Sequence, residues 1–342
     1  MQGRIESEIK KQQTINRLLS DLPEYVTEWY FNLKASQITP SSCKDYISKI
    51  YKFLVFVNPN TINISPEDIN IKTVEQYFIL IQTKQLKNGD IVYTSDSYKQ
   101  GIWYALNSFL SFMNNRGYID KNYMNEIGRP KNKDLDRINE NRILLTKKDF
   151  NKILHVVQNG AGSYRARLIQ ERYYRNRDTL IILLFMTTGM RRTAMSEINI
   201  DDINLSNNNL TIVDKGNKRH VYVLPDDVIY YFTLWNKDRE NILNNLNIES
   251  DALFLNVRGE RLTGYGISEM VEKYCEEALG KKISPHKLRA GFCSILYDKT
   301  HDSEFVRRAV GHSNIATTQR YISTDNKEKE LASNIINDML KF

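Results

Sequence analysis

Cysteine is scarce: Cys43, Cys275 and Cys293 are odd in number, far apart and never paired as Cys-x-x-Cys, which argues against both a disulfide framework and a zinc site. Apolar runs are short as well. None approaches the roughly 20 residues of a membrane span, and "MQGRIESEIKKQQTINRLL" is charged where a signal core would be apolar. The expected compartment is the cytoplasm, with no membrane partner. Pro and Gly number 7 and 15, too few for long disordered or repetitive tracts. Also missing are H-E-x-x-H, G-x-x-x-x-G-K-[ST], G-x-S-x-G and any cluster of carboxylates at metal-ligand spacing. Neither a metal nor a cofactor is expected.

What is present is enough apolar chain for two cores. A sequence of 342 residues with 41% hydrophobic and 26% charged residues exceeds one ordinary domain. The net charge is +7. Clustered Lys and Arg gain free energy by releasing counterions from phosphates, so a polyanion is a candidate partner.

Residues 20–128 read as amphipathic helices. In "TPSSCKDYISKIYKFLVFV", Thr39 caps, Pro40 takes the first helical position, and Tyr46, Ile47, Ile50, Tyr51, Leu54 and Val57 recur at helical spacing. A second helix is expected near "KTVEQYFILI", with Thr73 and Gln76 at capping-box spacing. A third runs through "SDSYKQGIWYALNSFLSFMNNRG", with Ile102, Leu106, Phe109, Leu110 and Met113 on one face and Gly117 at its end. Residues 1–19 read as an N-terminal extension. Residues 129–142 are polar and aperiodic, as in a linker.

A second domain is expected over 143–342. "LTKKDFNKILHVV" opens it, with Thr146 and Asp149 as a capping box, and "DTLIILLFMTTGM" is apolar all round and therefore a buried helix. "LTIVDKGNKRHVYVLP" carries a hairpin signature, and "ALFLN" (252–256) is a candidate short strand. Helices resume after the Ser284–Pro285 cap. The expected fold is mainly α, with a small antiparallel β-sheet in the second domain.

Four stretches place cations at structural punctuation points. Arg191 follows the helix end in "TTGMRR"; a guanidinium at the edge of a core suits a phosphate, though a solvated Arg is commoner. Lys215 and Lys218 lie at the hairpin turn, where an ammonium could act as a general acid. His286 and Arg289, in "SPHKLRAGF", share one face at a helix start, and a helix N-terminus itself attracts phosphate. "AVGHSNIATTQRYI" brings His312 and Tyr321, one of 20 tyrosines. A phenol becomes a useful nucleophile only when cationic donors gather on the electrophile and a base takes its proton.

In order and spacing, Arg191, Lys215, "HKLR" and "GHSNIATTQRY" together resemble the signature of the tyrosine recombinase (phage integrase) family. The resemblance covers 143–342 closely and 20–128, as a helical core-binding domain, more loosely. It implies a two-domain clamp around DNA, a core-binding domain plus a mixed α/β catalytic domain, that cuts and rejoins strands through a covalent 3′-phosphotyrosine without metal or nucleotide. Residue by residue, Tyr321 would be the nucleophile. Arg191 and Arg289 would clamp the scissile phosphate, Lys215 would protonate the leaving 5′ oxygen, His286 would serve as base or orienting donor, and His312 would donate to the phosphate. Two positions depart from the family pattern: Ala194 stands where Glu or Asp is usual and Ala290 where His is common.

The same resemblance implies double-stranded DNA bearing a specific site as partner, and a homotetramer on it. The last segment, with Leu331, Ile335, Met339 and Leu340 on one stripe, would pack on its own domain or dock in trans. Lys44, Lys49, Lys52 and Lys99 lie off the apolar stripes and are candidate phosphate contacts. Mobile-element integration and Xer-like chromosome dimer resolution both remain open. So do a type IB topoisomerase-like enzyme and a non-catalytic DNA-binding protein on the same fold. Neither the target site nor any accessory factor is legible.

Overall fold

The computed structural model describes residues 2–86, 88–131, 145–214 and 218–311. They are mostly helical with small antiparallel sheets, and the chain divides into two compact units, 5–142 and 143–342, the latter joined by residues 1–4.

The helical unit contains α1 (Gln2–Leu19) from Ile5 onward, α2 (Glu24–Ala35), α3 (Pro40–Val57), α4 (Ile71–Leu80) and α5 (Asp96–Asn115). Thr39 Oγ1 caps α3 by accepting from the Ser42 amide, with Pro40 opening the helix. Ile47, Ile50 and Leu54 are buried on the stripe expected for α3, as are Ile102, Leu106, Phe109, Leu110 and Met113 on α5. Gly117 follows α5 with φ of 77°, a conformation Gly adopts without a Cβ penalty. One core joins these faces and includes Ile15 of α1 and Trp29 of α2.

The helical unit departs from the sequence expectation at two places. The cap of α4 is Asn70, not Thr73: Asn70 Oδ1 accepts from the Thr73 amide, and Thr73 Oγ1 accepts from the Asn70 amide, so Thr73 is the inner partner of the box. A hairpin of β1 (Thr83–Gln85) and β2 (Ile91–Tyr93) also lies between α4 and α5, in a unit expected to be wholly helical. After α5 the chain folds back upon it. Trp103 Nε1 donates to the Ile127 carbonyl at 2.9 Å, Gln100 Nε2 donates to the Pro130 carbonyl at 2.7 Å, and the Arg129 guanidinium sits 4.9 Å from the Tyr104 ring centroid.

The second unit is arranged around α8 (Arg175–Thr188). Before it come α6 (Lys147–Asn159), opened by the Thr146/Asp149 capping box, and α7 (Tyr164–Tyr173). Helix α8 is apolar on all sides, and Leu180 to Phe185 are all buried. Against it pack α6, α10 (Asp226–Leu246) and α12 (Pro285–Thr300). The other elements are the short α9 (Arg192–Glu197), α11 (Gly264–Leu279), α13 (Ser303–Ala309) and a sheet in the order β3–β4–β5. Strands β4 (Asn209–Asp214) and β5 (Lys218–Val223) pair antiparallel from Asn209 with Val223 to Asp214 with Lys218, beside β3 (Ile203–Asn204).

Residues 252–256 do not form the short strand expected. They are a buried connection touched by two isolated bridges, Asn199 with Ala252 and Leu255 with Arg261. Side chains take the place of a neighbouring strand. Arg239 Nε, Trp235 Nε1 and Arg177 Nη1 donate to the carbonyls of Ala252, Leu253 and Leu255 at 2.8, 2.8 and 2.7 Å. Buried backbone groups need partners, and here cationic and indole donors supply them.

Arg177 also chelates its neighbour Asp178, with Nε and Nη2 at 2.9 and 2.7 Å from Oδ1. On its other side Asp178 Oδ2 accepts from the Tyr274 hydroxyl at 2.8 Å. Burial, then the charge of Asp178, raises the Tyr274 pKa well above the ordinary phenol value and keeps the group a neutral donor. This network joins α8 to α11 inside the core.

Candidate active site

Three of the six sequence-derived site residues fall among the described residues. Helix α8 runs until Gly189, whose left-handed conformation (φ 57°) ends it, and Arg191 then stands at the N-cap of α9, partly exposed. Gly189 is required for a second reason. A Cβ there would lie 2.4 Å from Cδ1 of Phe292, so α12 crosses this turn closer than any side chain permits.

Helix α12 begins at Pro285, after Ser284, and His286 and Arg289 lie one turn apart near its start. Arg289 is only 2% exposed. Its Nη1 donates to the Gly189 carbonyl at 2.6 Å and its Nη2 to the Val310 carbonyl at 2.9 Å. Both acceptors are neutral, so these bonds hold the guanidinium in place without neutralising its charge. They also draw together the "TTGMRR" turn, the start of α12 and the end of the segment that leads into "GHS". Gly311, with φ of 68°, turns the chain directly afterwards.

His286 keeps an open edge, yet the protein around it disfavours its charged form. Burial is the largest cause of its lowered pKa, and the positive charge of Arg289 comes next. A backbone hydrogen bond works in the opposite sense, while Arg191 and Arg192 add further repulsion. The imidazole is thereby kept neutral near pH 7 and able to accept a proton. The cationic surroundings that keep it neutral are suited to an anion.

Lys215, His312 and Tyr321 lie outside the described residues, as does the stripe of Leu331, Ile335, Met339 and Leu340. Of the candidate phosphate contacts in the helical unit, Lys49 and Lys99 are ion-paired on their own helices, with Asp45 at 2.5 Å and Asp96 at 2.7 Å. Lys52 is exposed and Lys44 partly so. Ala194 is buried in the core, and Ala290 is half-buried. Among the described residues no three His, Cys, Asp or Glu side chains gather as a metal's ligands would, and no helix is long and apolar enough to cross a membrane.

Two residues of the quoted stretches were not singled out from sequence. Arg192, which adds to the positive field on His286, donates from Nη1 to Ser268 Oγ at 2.9 Å. His220 on β5 places Nε2 3.3 Å from the Ala309 carbonyl oxygen, at the end of α13. Alternation along β5 was the available signal, because His220 shares its face with Tyr222, which is buried.

Residues 144–328 match the profile of the phage integrase family. The tyrosine recombinase XerD of Staphylococcus haemolyticus (strain JCSC1435) is 38% identical over 147 residues, which are 42% of this chain and 49% of that protein. The tyrosine recombinase XerC of Psychromonas ingrahamii (strain DSM 17664 / CCUG 51855 / 37) is 24% identical over 299 residues, covering 86% of this chain and 90% of the relative. The chain spans about half the length of the first of these relatives. In structure it is similar to the XerH site-specific recombinase bound to difH substrate, with a TM-score of 0.61 at 22% identity over 88% of this chain and 81% of the other. It is also similar to a lambda integrase tetramer bound to a Holliday junction, with a TM-score of 0.56 at 16% identity over 89% and 78%. At these identities the structural likeness speaks for the fold.

Proposed function

Because this chain belongs to the phage integrase family, we propose that it is a site-specific tyrosine recombinase, which cleaves and rejoins DNA strands through a covalent 3′-phosphotyrosine. The observation that carries this reading is the grouping of Arg191, Arg289 and a neutral His286, with Arg289 anchored to Gly189 and Val310. In the reaction, the Tyr321 oxygen attacks the scissile phosphorus while its proton passes to His286. The bond from phosphorus to the 5′ oxygen breaks, and Lys215 gives that oxygen a proton. Arg191, Arg289 and His312 meet the charge that builds on the nonbridging oxygens. The phosphotyrosine keeps the energy of the broken ester, so the 5′ hydroxyl of a partner strand reverses the step and no nucleotide is consumed.

The two units would close on duplex DNA as a clamp, and four copies would assemble on paired sites, with the C-terminal segment docking on a neighbouring copy. The XerD and XerC relatives favour an Xer-like role, served in the cytoplasm on double-stranded DNA. Ala194 and Ala290 fall at supporting positions and leave all six proposed phosphate and proton-transfer groups in the sequence.

The test is a nicked suicide duplex carrying the protein's own site, from which the cleaved fragment diffuses away. A covalent complex that survives detergent is expected with the native chain and absent with Tyr321→Phe. Persistence of that complex in the variant would refute the assignment. Recombinant products from two sites, rather than relaxation alone, separate recombinase from topoisomerase.

A further inference from the structure

We propose that His220 is a positioning residue that ties the hairpin bearing Lys215 to the segment leading into His312; this rests on the reading of Lys215 as the acid that protonates the leaving 5′ oxygen. The pleat of β5 puts Val221 and Val223 outward, 56% and 79% exposed, and Tyr222 inward at 7%. His220 shares the inward parity, and its ring packs against Tyr222 with centroids 4.4 Å apart. An apolar residue would satisfy that face. An imidazole there has a specific partner, the carbonyl of Ala309 at 3.3 Å from Nε2. Only a nitrogen bearing hydrogen faces a carbonyl oxygen favourably, so Nε2 is the donor and the proton sits there.

Ala309 ends α13, and its carbonyl is among the last ones of that helix, which have no partner within it. The next carbonyl along, that of Val310, accepts from Arg289. Two consecutive carbonyls, immediately before Gly311, are therefore held by the hairpin on one side and by the proposed phosphate clamp on the other. Across the ladder His220 faces Ile212, and two further pairs follow, Val213 with Arg219 and Asp214 with Lys218; Lys215 is next in sequence after Asp214. Fixing His220 thus sets the base of the hairpin in the frame of Arg289. A general acid has to reach its oxygen within hydrogen-bond distance, and a misplacement of roughly 1 Å can lower a rate about 100-fold.

The discriminating experiment measures single-turnover cleavage of two nicked duplexes, one normal and one with sulfur in place of the scissile 5′ bridging oxygen. A thiol is far more acidic than an alcohol, at about 8.5 for Cys, so the sulfur leaves without a proton donor. His220→Ala is expected to slow cleavage of the normal duplex by about 100-fold and to cut the sulfur duplex at the native rate. His220→Gln, whose amide can donate to Ala309, should stay within a few-fold of native on both. His220→Phe keeps a ring against Tyr222 without a donor and should behave as the Ala variant, which covers the case in which Ala unfolds the hairpin. Lys215→Ala is the reference. If sulfur rescues Lys215→Ala but neither His220→Ala nor His220→Phe, or if these two cleave the normal duplex at the native rate, the role of His220 is overturned while the role of Lys215 stands. Failure of sulfur to rescue Lys215→Ala overturns the acid assignment, and the positioning role with it.

Discussion

Arg289 donates from Nη1 to the carbonyl oxygen of Gly189 at 2.6 Å, joining the start of α12 to the turn that ends α8. Nη2 of the same group reaches Val310. One buried cation thus organises three chain segments that are remote in sequence, and the chemistry proposed here depends on their staying together.

Arg289→Lys tests that dependence. A Lys ammonium keeps the charge but lacks the planar fork that spans two fixed carbonyls. Covalent complex formation on the suicide duplex should fall by about 100-fold or more, with a loss of stability of about 1.5–3 kcal/mol from a buried charged hydrogen bond. Native-like cleavage by the Lys variant would show that the two-carbonyl anchor is dispensable.

Gly189→Ala should destabilise the second unit by two separable effects. The left-handed conformation costs a residue with a Cβ about 1–2 kcal/mol, and crowding against Phe292 adds about 1–3 kcal/mol. Urea unfolding followed by a probe in 143–342 should show both in the single variant. Adding Phe292→Ala should remove the crowding but not the backbone penalty, so full recovery in the double variant would contradict the role assigned to φ.

His286 should titrate below the ordinary His value of about 6.5. Its folded-state pKa is lowered, so the unfolded chain binds the proton more readily, and the penalty on folding grows as pH falls below about 6.5 and vanishes above it. Arg191→Gln removes one repelling charge and should move the NMR midpoint of His286 upward. Added duplex should move it in the same direction, because phosphate opposes the cationic field. A midpoint unmoved by either would rule out the electrostatic coupling.

Tyr274→Phe serves as a structural control away from the proposed chemistry. It removes the donor to Asp178 Oδ2 inside the core while leaving the Arg177 chelate in place. A loss of about 1–3 kcal/mol is expected from urea melts, with the single-turnover cleavage rate unchanged at a temperature where the variant is folded. A slowed cleavage would connect this network to the site.

Much of the local architecture was legible in the residue order. The caps at Thr39 and Thr146, the stripes of α3 and α5, the buried α8 and the β4–β5 hairpin are all short-range features, set by periodicity, hydroxyl placement and turn residues. The fold departs from the local signal where that signal has two solutions. Thr73 resembled a cap because a box has hydroxyl or amide groups at both ends, and Asn70 took the outer one. Residues 252–256 resembled a strand because buried apolar runs usually pair. Only the fold reveals that Trp235, Arg239 and Arg177 reach those carbonyls first.

By itself the sequence determined the family signature and which chemical groups it offers, since a phenol, cations and imidazoles are fixed by covalent structure and by their order along the chain. Tertiary structure alone decided that Arg289 is buried and bridges Gly189 to Val310, that three guanidinium charges bear on His286, and that His220 meets Ala309. Hydrogen bonds and Coulomb interactions depend on distances of a few ångströms between groups far apart along the chain, and sequence spacing carries no such distances.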